Sequence, residues 1–168
     1  MIREKLIIRE ATDSERGAIL ALTETAFGRP TEARLVDALI DEPLDTPSFV
    51  AELDGALVGH VMYSQLQGPP KALGLGPLSV APQWRDMQVG TELTRQSLDH
   101  VRRDGWDSVF LLGAPAYYER FGFKSSTADP MISQYQGPYF LAKELRPGVL
   151  AGYRGEVKFA KPFSELAP

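Results

Sequence analysis

Hydrophobic residues recur along this chain at two periods, near two and near 3.6, and the switches between them mark its elements. Residues 4–9 read as a strand. Thr12 and Glu15 stand at the spacing of a reciprocal helix cap, and Ile19, Leu22 and Phe27 continue at helical spacing until Gly28 stops them. A second helix is expected over residues 31–40, with Leu35, Val36, Leu39 and Ile40 on one face and Pro43 as the breaker. Residues 48–53 and 56–65 make the arms of a β-hairpin around Asp54-Gly55, a strong two-residue turn signal. Pro69-Pro70 turns the chain again into a strand over residues 73–80.

That strand carries Gly76-Pro77 in its middle. Proline cannot donate to a ladder, so either this is an edge strand or the chain bulges and stops pairing there. A helix follows over residues 89–104, burying Val89, Leu93, Leu98 and Val101, with Arg102 and Arg103 in its last turn and Gly105 beyond. Residues 107–112 form a strand, and residues 116–121 a short helix capped by Gly122. Two more β-like runs, 139–142 and 156–160, flank Pro147-Gly148. This order gives an α/β chain with a mixed sheet flanked by helices. No repeat or boundary interrupts it, so residues 1–168 are expected to form a single domain.

Composition narrows the chemistry. A chain of 168 residues with 43% hydrophobic and 24% charged residues can bury a full core. It has no cysteine, which removes disulfides, thiolate metal sites and cysteine nucleophiles. His60 and His100 alone do not make a zinc site, and no metal is expected. The net charge of −4 speaks against a nucleic-acid partner and suits a cationic, amine-bearing substrate. The N-terminus is too short and too charged for a signal peptide, and no run approaches membrane length, so a cytoplasmic protein is expected.

The candidate chemistry lies where the strand ending at Val80 breaks at Pro82, passes a polar loop and opens a helix at Gly90-Thr91. Such a junction aims backbone N–H groups and the positive end of a helix dipole at one spot, which suits a pyrophosphate. Arg85-Asp86-Met87-Gln88-Val89-Gly90, followed by Tyr118-Glu-Arg-Phe-Gly-Phe123, resembles the signatures of the GNAT N-acetyltransferase superfamily. Residues 144–157 and the run from Pro115 to Phe123 resemble one bacterial branch whose substrates are mostly unassigned.

The resemblance implies a mostly antiparallel mixed sheet of about six to seven strands with splayed central strands. It also implies an acyl-CoA N-acyltransferase using acetyl-CoA as cosubstrate. The N–H of Leu78 or Val80 would bond the acetyl carbonyl and the pantetheine arm; those of Gln88, Val89, Gly90 and Thr91 would hold the pyrophosphate. Ser79, Arg85 and Met87 complete the expected cofactor contacts. Tyr118 would be the catalytic acid beside the thioester. An acetyl group would pass to a small-molecule or terminal primary amine by direct attack through a tetrahedral intermediate, in a monomer or homodimer.

Four residues bear on how well this works. Gln88 stands where the family pattern has its first glycine. With a right-handed backbone it is harmless and its amide could donate to a phosphate, whereas a positive φ there would cost roughly 1 kcal/mol or more and weaken cofactor binding. Asp86 puts an anionic side chain near the expected phosphates, pointing to solvent or capping the helix. Gly74 occupies the place of the glutamate that serves many family members as general base, leaving Glu52, His60 and Tyr63 as neighbours to weigh. Tyr118, an ordinary phenol, is a weaker acid than a thiol by about 1.5 pKa units, so it suits hydrogen-bond stabilisation of the leaving thiolate better than full proton transfer. Two other readings remain open at this level: a CoA-binding module without efficient catalysis, and a protein sharing only the fold.

Overall fold

The computed structural model describes residues 5–165. β1 (Ile7–Glu10) leads into helices α1 (Arg16–Phe27) and α2 (Thr31–Asp41). Strands β2 (Ser48–Leu53), β3 (Ala56–Gln65) and β4 (Ala72–Val80) follow, then the long helix α3 (Val89–Arg103) and β5 (Ser108–Leu112). Two single-turn helices, α4 (Pro115–Tyr118) and α5 (Ser125–Ala128), precede β6 (Phe140–Glu144) and α6 (Lys161–Glu165). Among the described residues one six-stranded sheet runs in chain order, antiparallel except where β5 lies parallel to β4. No helix among them is long and apolar enough to cross a membrane.

Local chemistry explains the boundaries. The Glu15 carboxylate accepts the Thr12 N–H at 2.9 Å, and α1 ends where Gly28 turns left-handed at φ 69°. Asp54 and Gly55 both take positive φ, as the tight hairpin turn demands. Below the sheet, α3 packs Val89, Leu93, Leu98 and Val101 against Val61, Tyr63, Leu73 and Leu75. Each such buried side chain contributes about 1.5–3 kcal/mol. Above it, Ile19, Val36 and Leu39 from α1 and α2 cover Val50 and Met62.

β4 is a central strand with a bulge, not an edge. Leu75 faces Tyr63 and Leu78 faces Val61, so Gly76 and Pro77 together stand opposite Met62 alone. Beyond the bulge β4 leaves β5. Their ladder comprises Ala72, Leu73 and Gly74 against Ser108, Val109 and Phe110, while β5 stays paired with β6 as far as Leu112. The two strands therefore part at their C-terminal ends, in keeping with the splayed central strands that the family resemblance implied and with the interruption at Gly76-Pro77.

The tail departs from expectation. Residues 156–160 form no strand, only isolated bridges from Glu156 to Ile132 and from Lys158 to Gln67. The segment changes partner between those bridges: Val157 donates to Ile132, whereas Lys158 donates to Gln67. A ladder on one side never forms. The first strand starts at Ile7, and the part of its expected range at residue 4 lies outside the described residues.

Candidate active site

Three elements converge at the mouth of the parted strands. A side-chain carbon placed on Gly90 would lie 3.2 Å from the Tyr117 hydroxyl and 3.5 Å from the Val80 side chain. The end of β4, the first turn of α3 and the turn carrying Tyr117 and Tyr118 are thus in contact around a glycine. Helix geometry leaves the N–H groups of Val89, Gly90 and Thr91 without intrahelical acceptors, and the dipole's positive end adds to them. Ala81 donates to Val58 on β3, at 2.8 Å, so alternation along the strand turns the N–H groups of Val80 and Leu78 away from β3 and toward the gap.

The other predicted contacts divide. The side chain of Val89 is buried in the core, which leaves only its backbone to the mouth, while Gly90 and Thr91 are half-buried there. Ser79 pairs with His60 on the face turned from α3, where its hydroxyl is buried. Arg85 hydrogen-bonds the Ala26 carbonyl at the end of α1, tying the loop to that helix. Met87 is 43% exposed. Gln88 caps α3 in the left-handed region, φ 69° and ψ 11°, and Asp86 is left-handed too at φ 65°. Each costs about 1 kcal/mol or more relative to glycine. Asp86 is exposed to solvent, and it is Gln88 that occupies the capping position of α3.

Tyr118 is half-buried at the inner wall of the gap. Its ring lies over Gly113, where an added carbon would come within 2.5 Å, and meets the rings of Tyr117 and Phe123 edge-on at 4.9 and 5.9 Å. Burial, and secondarily Tyr117, push its hydroxyl up to about 12. The turn is held from behind by Lys143, whose Nζ donates to the Phe121 carbonyl beside Gly122, left-handed at φ 92°. Burial lowers the Lys143 ammonium below its ordinary value.

The groups weighed as bases are either paired elsewhere or buried away from solvent. Glu52 binds Arg9 at 2.9 Å, and Arg9 also grips Glu15 at 2.7 Å. Tyr63 is fully buried, its hydroxyl 2.7 Å from Ser97 Oγ and pushed far above the ordinary phenol range by burial. His60 is also fully buried, and burial depresses it to about 4, so the ring is neutral. Gly74 faces the ring of Phe159, which an added carbon would meet at 2.7 Å. The place expected of a glutamate is taken up by a tail side chain.

On the α1–α2 face the gap opens into a cleft of about 370 Å³ between Leu78 and Leu112, with Tyr118 at its inner wall. Its outer walls include Phe27, Glu32 and Leu35 from the first two helices and Tyr135, Phe159 and Phe163 from the tail. Sequence reasoning missed these residues, because no spacing in the chain links the early helices to residues 135–163. A wider, open depression of about 990 Å³ lies at the opposite end of the sheet, with Lys71 and Trp106 on its rim. It contains none of the predicted residues and faces the start of the parallel strands, whereas ligands in such sheets gather beyond their carboxyl ends.

This arrangement has known counterparts. Residues 17–123 match the model of the acetyltransferase (GNAT) family. The chain belongs to that family. It is 33% identical over 141 residues to the uncharacterized N-acetyltransferase YjhQ of Escherichia coli K12, covering 79% of this chain and 76% of that one. It is 29% identical to the uncharacterized N-acetyltransferase YhbS of the same organism, over 96% of this chain and all of the relative. The crystal structure of E. coli YhbS in complex with CoA superposes with a TM-score of 0.88 at 28% identity, covering 95% of this chain and 92% of that one. A GNAT acetyltransferase from Brucella melitensis in complex with acetyl-CoA gives 0.79 at 31% identity, covering 94% and 97%. As a GNAT N-acetyltransferase the chain is an acyltransferase of the acetyl-CoA-dependent type.

Proposed function

We propose that the whole chain forms one acyltransferase domain that binds acetyl-CoA in the parted strands and transfers its acetyl group to a primary amine by direct attack. The observation that carries this reading is the parting of β4 from β5 beyond Gly74 and Phe110, with the first turn of α3 meeting Val80 and Tyr117 at its mouth and Tyr118 lining the cleft within. The N–H groups of Gln88, Val89, Gly90 and Thr91 would take the pyrophosphate, and those of Leu78 and Val80 the pantetheine and acetyl oxygen. Arg85 and Met87 would contribute through the shape of the loop, and Ser79 through its place in β4, rather than by direct side-chain bonds.

In the reaction a neutral amine nitrogen attacks the acetyl carbonyl carbon, a C–N bond forms, the C–S bond breaks and the amine loses a proton. The sulfur leaves as thiolate or thiol beside the Tyr118 hydroxyl. With a thiol near 8.5 and Tyr118 at about 12, full transfer from Tyr118 is uphill by about 5 kcal/mol. Tyr118 therefore acts as a hydrogen-bond donor to the developing thiolate, and the thiol proton comes ultimately from the amine or from water. With Phe159 over Gly74, deprotonation falls to water, or the acceptor is an amine already partly neutral, such as an α-amino group near 8.

A second reading, CoA binding without efficient transfer, draws on the left-handed Gln88 and the filled Gly74 position. Calorimetric titration with CoA, followed by thiol release from acetyl-CoA across an amine panel, separates the two. Binding with turnover is the expected result. Binding without turnover favours the second reading, and no binding at millimolar CoA by folded protein removes both.

A further inference from the structure

We infer that the acceptor is a small monoamine bearing an aromatic or branched apolar group, selected by a wall that the tail builds around Phe159. This rests on the acetyltransferase reading and adds a substrate class to it. The cleft of about 370 Å³ amounts to about a dozen water-sized volumes. Once the acetyl end of the cosubstrate occupies part of it, the remainder fits one ring or branched chain on a short arm.

The walls are apolar. Phe27 and Leu112 present carbon to the open cleft, 40% and 47% exposed. Phe159 meets Tyr135 edge-on at 5.6 Å and Phe163 at a 59° tilt at 5.4 Å, so the tail supplies a contiguous aromatic surface. Its position is fixed from below, because the Phe159 ring rests on Gly74 of β4 with no room for a side chain there. Such a surface rewards burial of a ring or branched chain, and beyond the Tyr118 and Tyr135 hydroxyls and the paired Glu32 its side chains offer a hydroxylated or polyaminated acceptor no polar partner.

Charge points the same way. Among the described residues lining the cleft the one carboxylate is Glu32, and Arg29 already pairs with it at 2.5 Å. That contact holds Glu32 below its ordinary value, so it stays ionised as Arg29's partner. A diamine or polyamine would bring a second ammonium to a wall whose one carboxylate already serves Arg29, leaving ring faces alone to offset its desolvation. A monoamine, neutral at the moment of attack, meets no such penalty.

The test is steady-state acetyl transfer with 2-phenylethylamine, isoamylamine, ethanolamine and spermidine, on wild type and on Phe159→Ala and Phe163→Ala. CoA titration and thermal melting of each variant verify fold and cosubstrate binding. The two apolar monoamines are expected to exceed ethanolamine and spermidine in kcat/KM by about tenfold or more. Phe159→Ala is expected to raise KM for 2-phenylethylamine about tenfold with a smaller change in kcat, narrowing its advantage over ethanolamine. Higher kcat/KM for spermidine or ethanolamine, with CoA bound, overturns the inference while leaving the acetyltransferase reading intact. If no amine is turned over, saturation-transfer NMR on the CoA-bound protein decides: 2-phenylethylamine seated and not displaced by spermidine supports the inference, and no contact overturns it. Failure to bind CoA at all sinks the underlying reading, and the inference falls with it.

Discussion

Burial and the neighbouring Tyr117 hold the Tyr118 proton until about pH 12, so the hydroxyl stays a donor across any working range. Tyr118→Phe is therefore expected to slow acetyl transfer by roughly 10- to 100-fold, the low end of general-acid effects, with little change in CoA affinity. The pH–rate profiles of wild type and variant should also run parallel between pH 7 and 10, since Tyr118 does not titrate there. Unchanged turnover under rate-limiting chemistry would reassign Tyr118 to packing against Phe123. Gln88 poses a different residue-scale question. Its left-handed backbone costs about 1 kcal/mol that glycine would not incur. Gln88→Gly is expected to bind CoA as tightly as wild type or up to about tenfold more tightly, and to melt no lower. A calorimetric loss of affinity would mean that the Gln88 amide itself holds the phosphates.

At the scale of elements, β4 shows what the chain reveals about itself and what it hides. The hairpin, both early helices, α3 and the Gly76-Pro77 interruption were legible because each rests on local chemistry: a turn dipeptide, a cap, a period, a missing donor. The parting of β4 from β5 agrees with that interruption and with the splay the family resemblance implied. Residues 156–160 looked like a strand because their alternation is genuine, yet the segment splits its bonds between Ile132 and Gln67. The left-handed state of Gln88 and the seat of Phe159 on Gly74 were illegible because they depend on contacts across the whole chain. That seat gives a prediction. Gly74→Glu would install the family's carboxylate on β4, but its Cβ would stand 2.7 Å from the Phe159 ring. Overpacking at this site is expected to cost about 2 kcal/mol in urea denaturation and to bring no gain in transfer rate. A stable, faster Gly74→Glu enzyme would show that Phe159 swings aside and that the missing carboxylate limits the reaction.

For the molecule as a whole, stability and ligand response follow from how the two wings of the sheet meet. His60 lies in the four-stranded wing, fully buried and neutral, depressed from 6.5 to about 4 by burial. Above pH 6.5 both folded and unfolded chains leave it unprotonated, so it adds no pH dependence. Between 6.5 and 4 the unfolded chain binds a proton that the folded one refuses, and stability falls as pH falls, by up to about 3 kcal/mol. Glu15, lowered to about 2 by Arg9, adds its own loss only below 4.5. Urea titrations at pH 8, 6 and 5 should show this slope in wild type and a flatter one in His60→Leu, since among the described residues neither ring nitrogen has a partner to lose.

The wings are joined at β4–β5 by three residue pairs, and beyond them the lips of the gap face each other without a ladder. A cosubstrate seated between the lips must bridge them, whereas one bound at the Lys71–Trp106 depression would not. Hydrogen–deuterium exchange distinguishes the two sites without relying on catalysis. CoA is expected to slow exchange over residues 76–91 and 112–122, the two lips with the start of α3, while the β2–β3 hairpin around Asp54-Gly55 keeps its rate. Adding 2-phenylethylamine should then extend protection to residues 157–163, where Phe159 and Phe163 lie. Protection concentrated near Lys71 and Trp106 would move the binding site to the other end of the sheet and detach Tyr118 from the chemistry altogether.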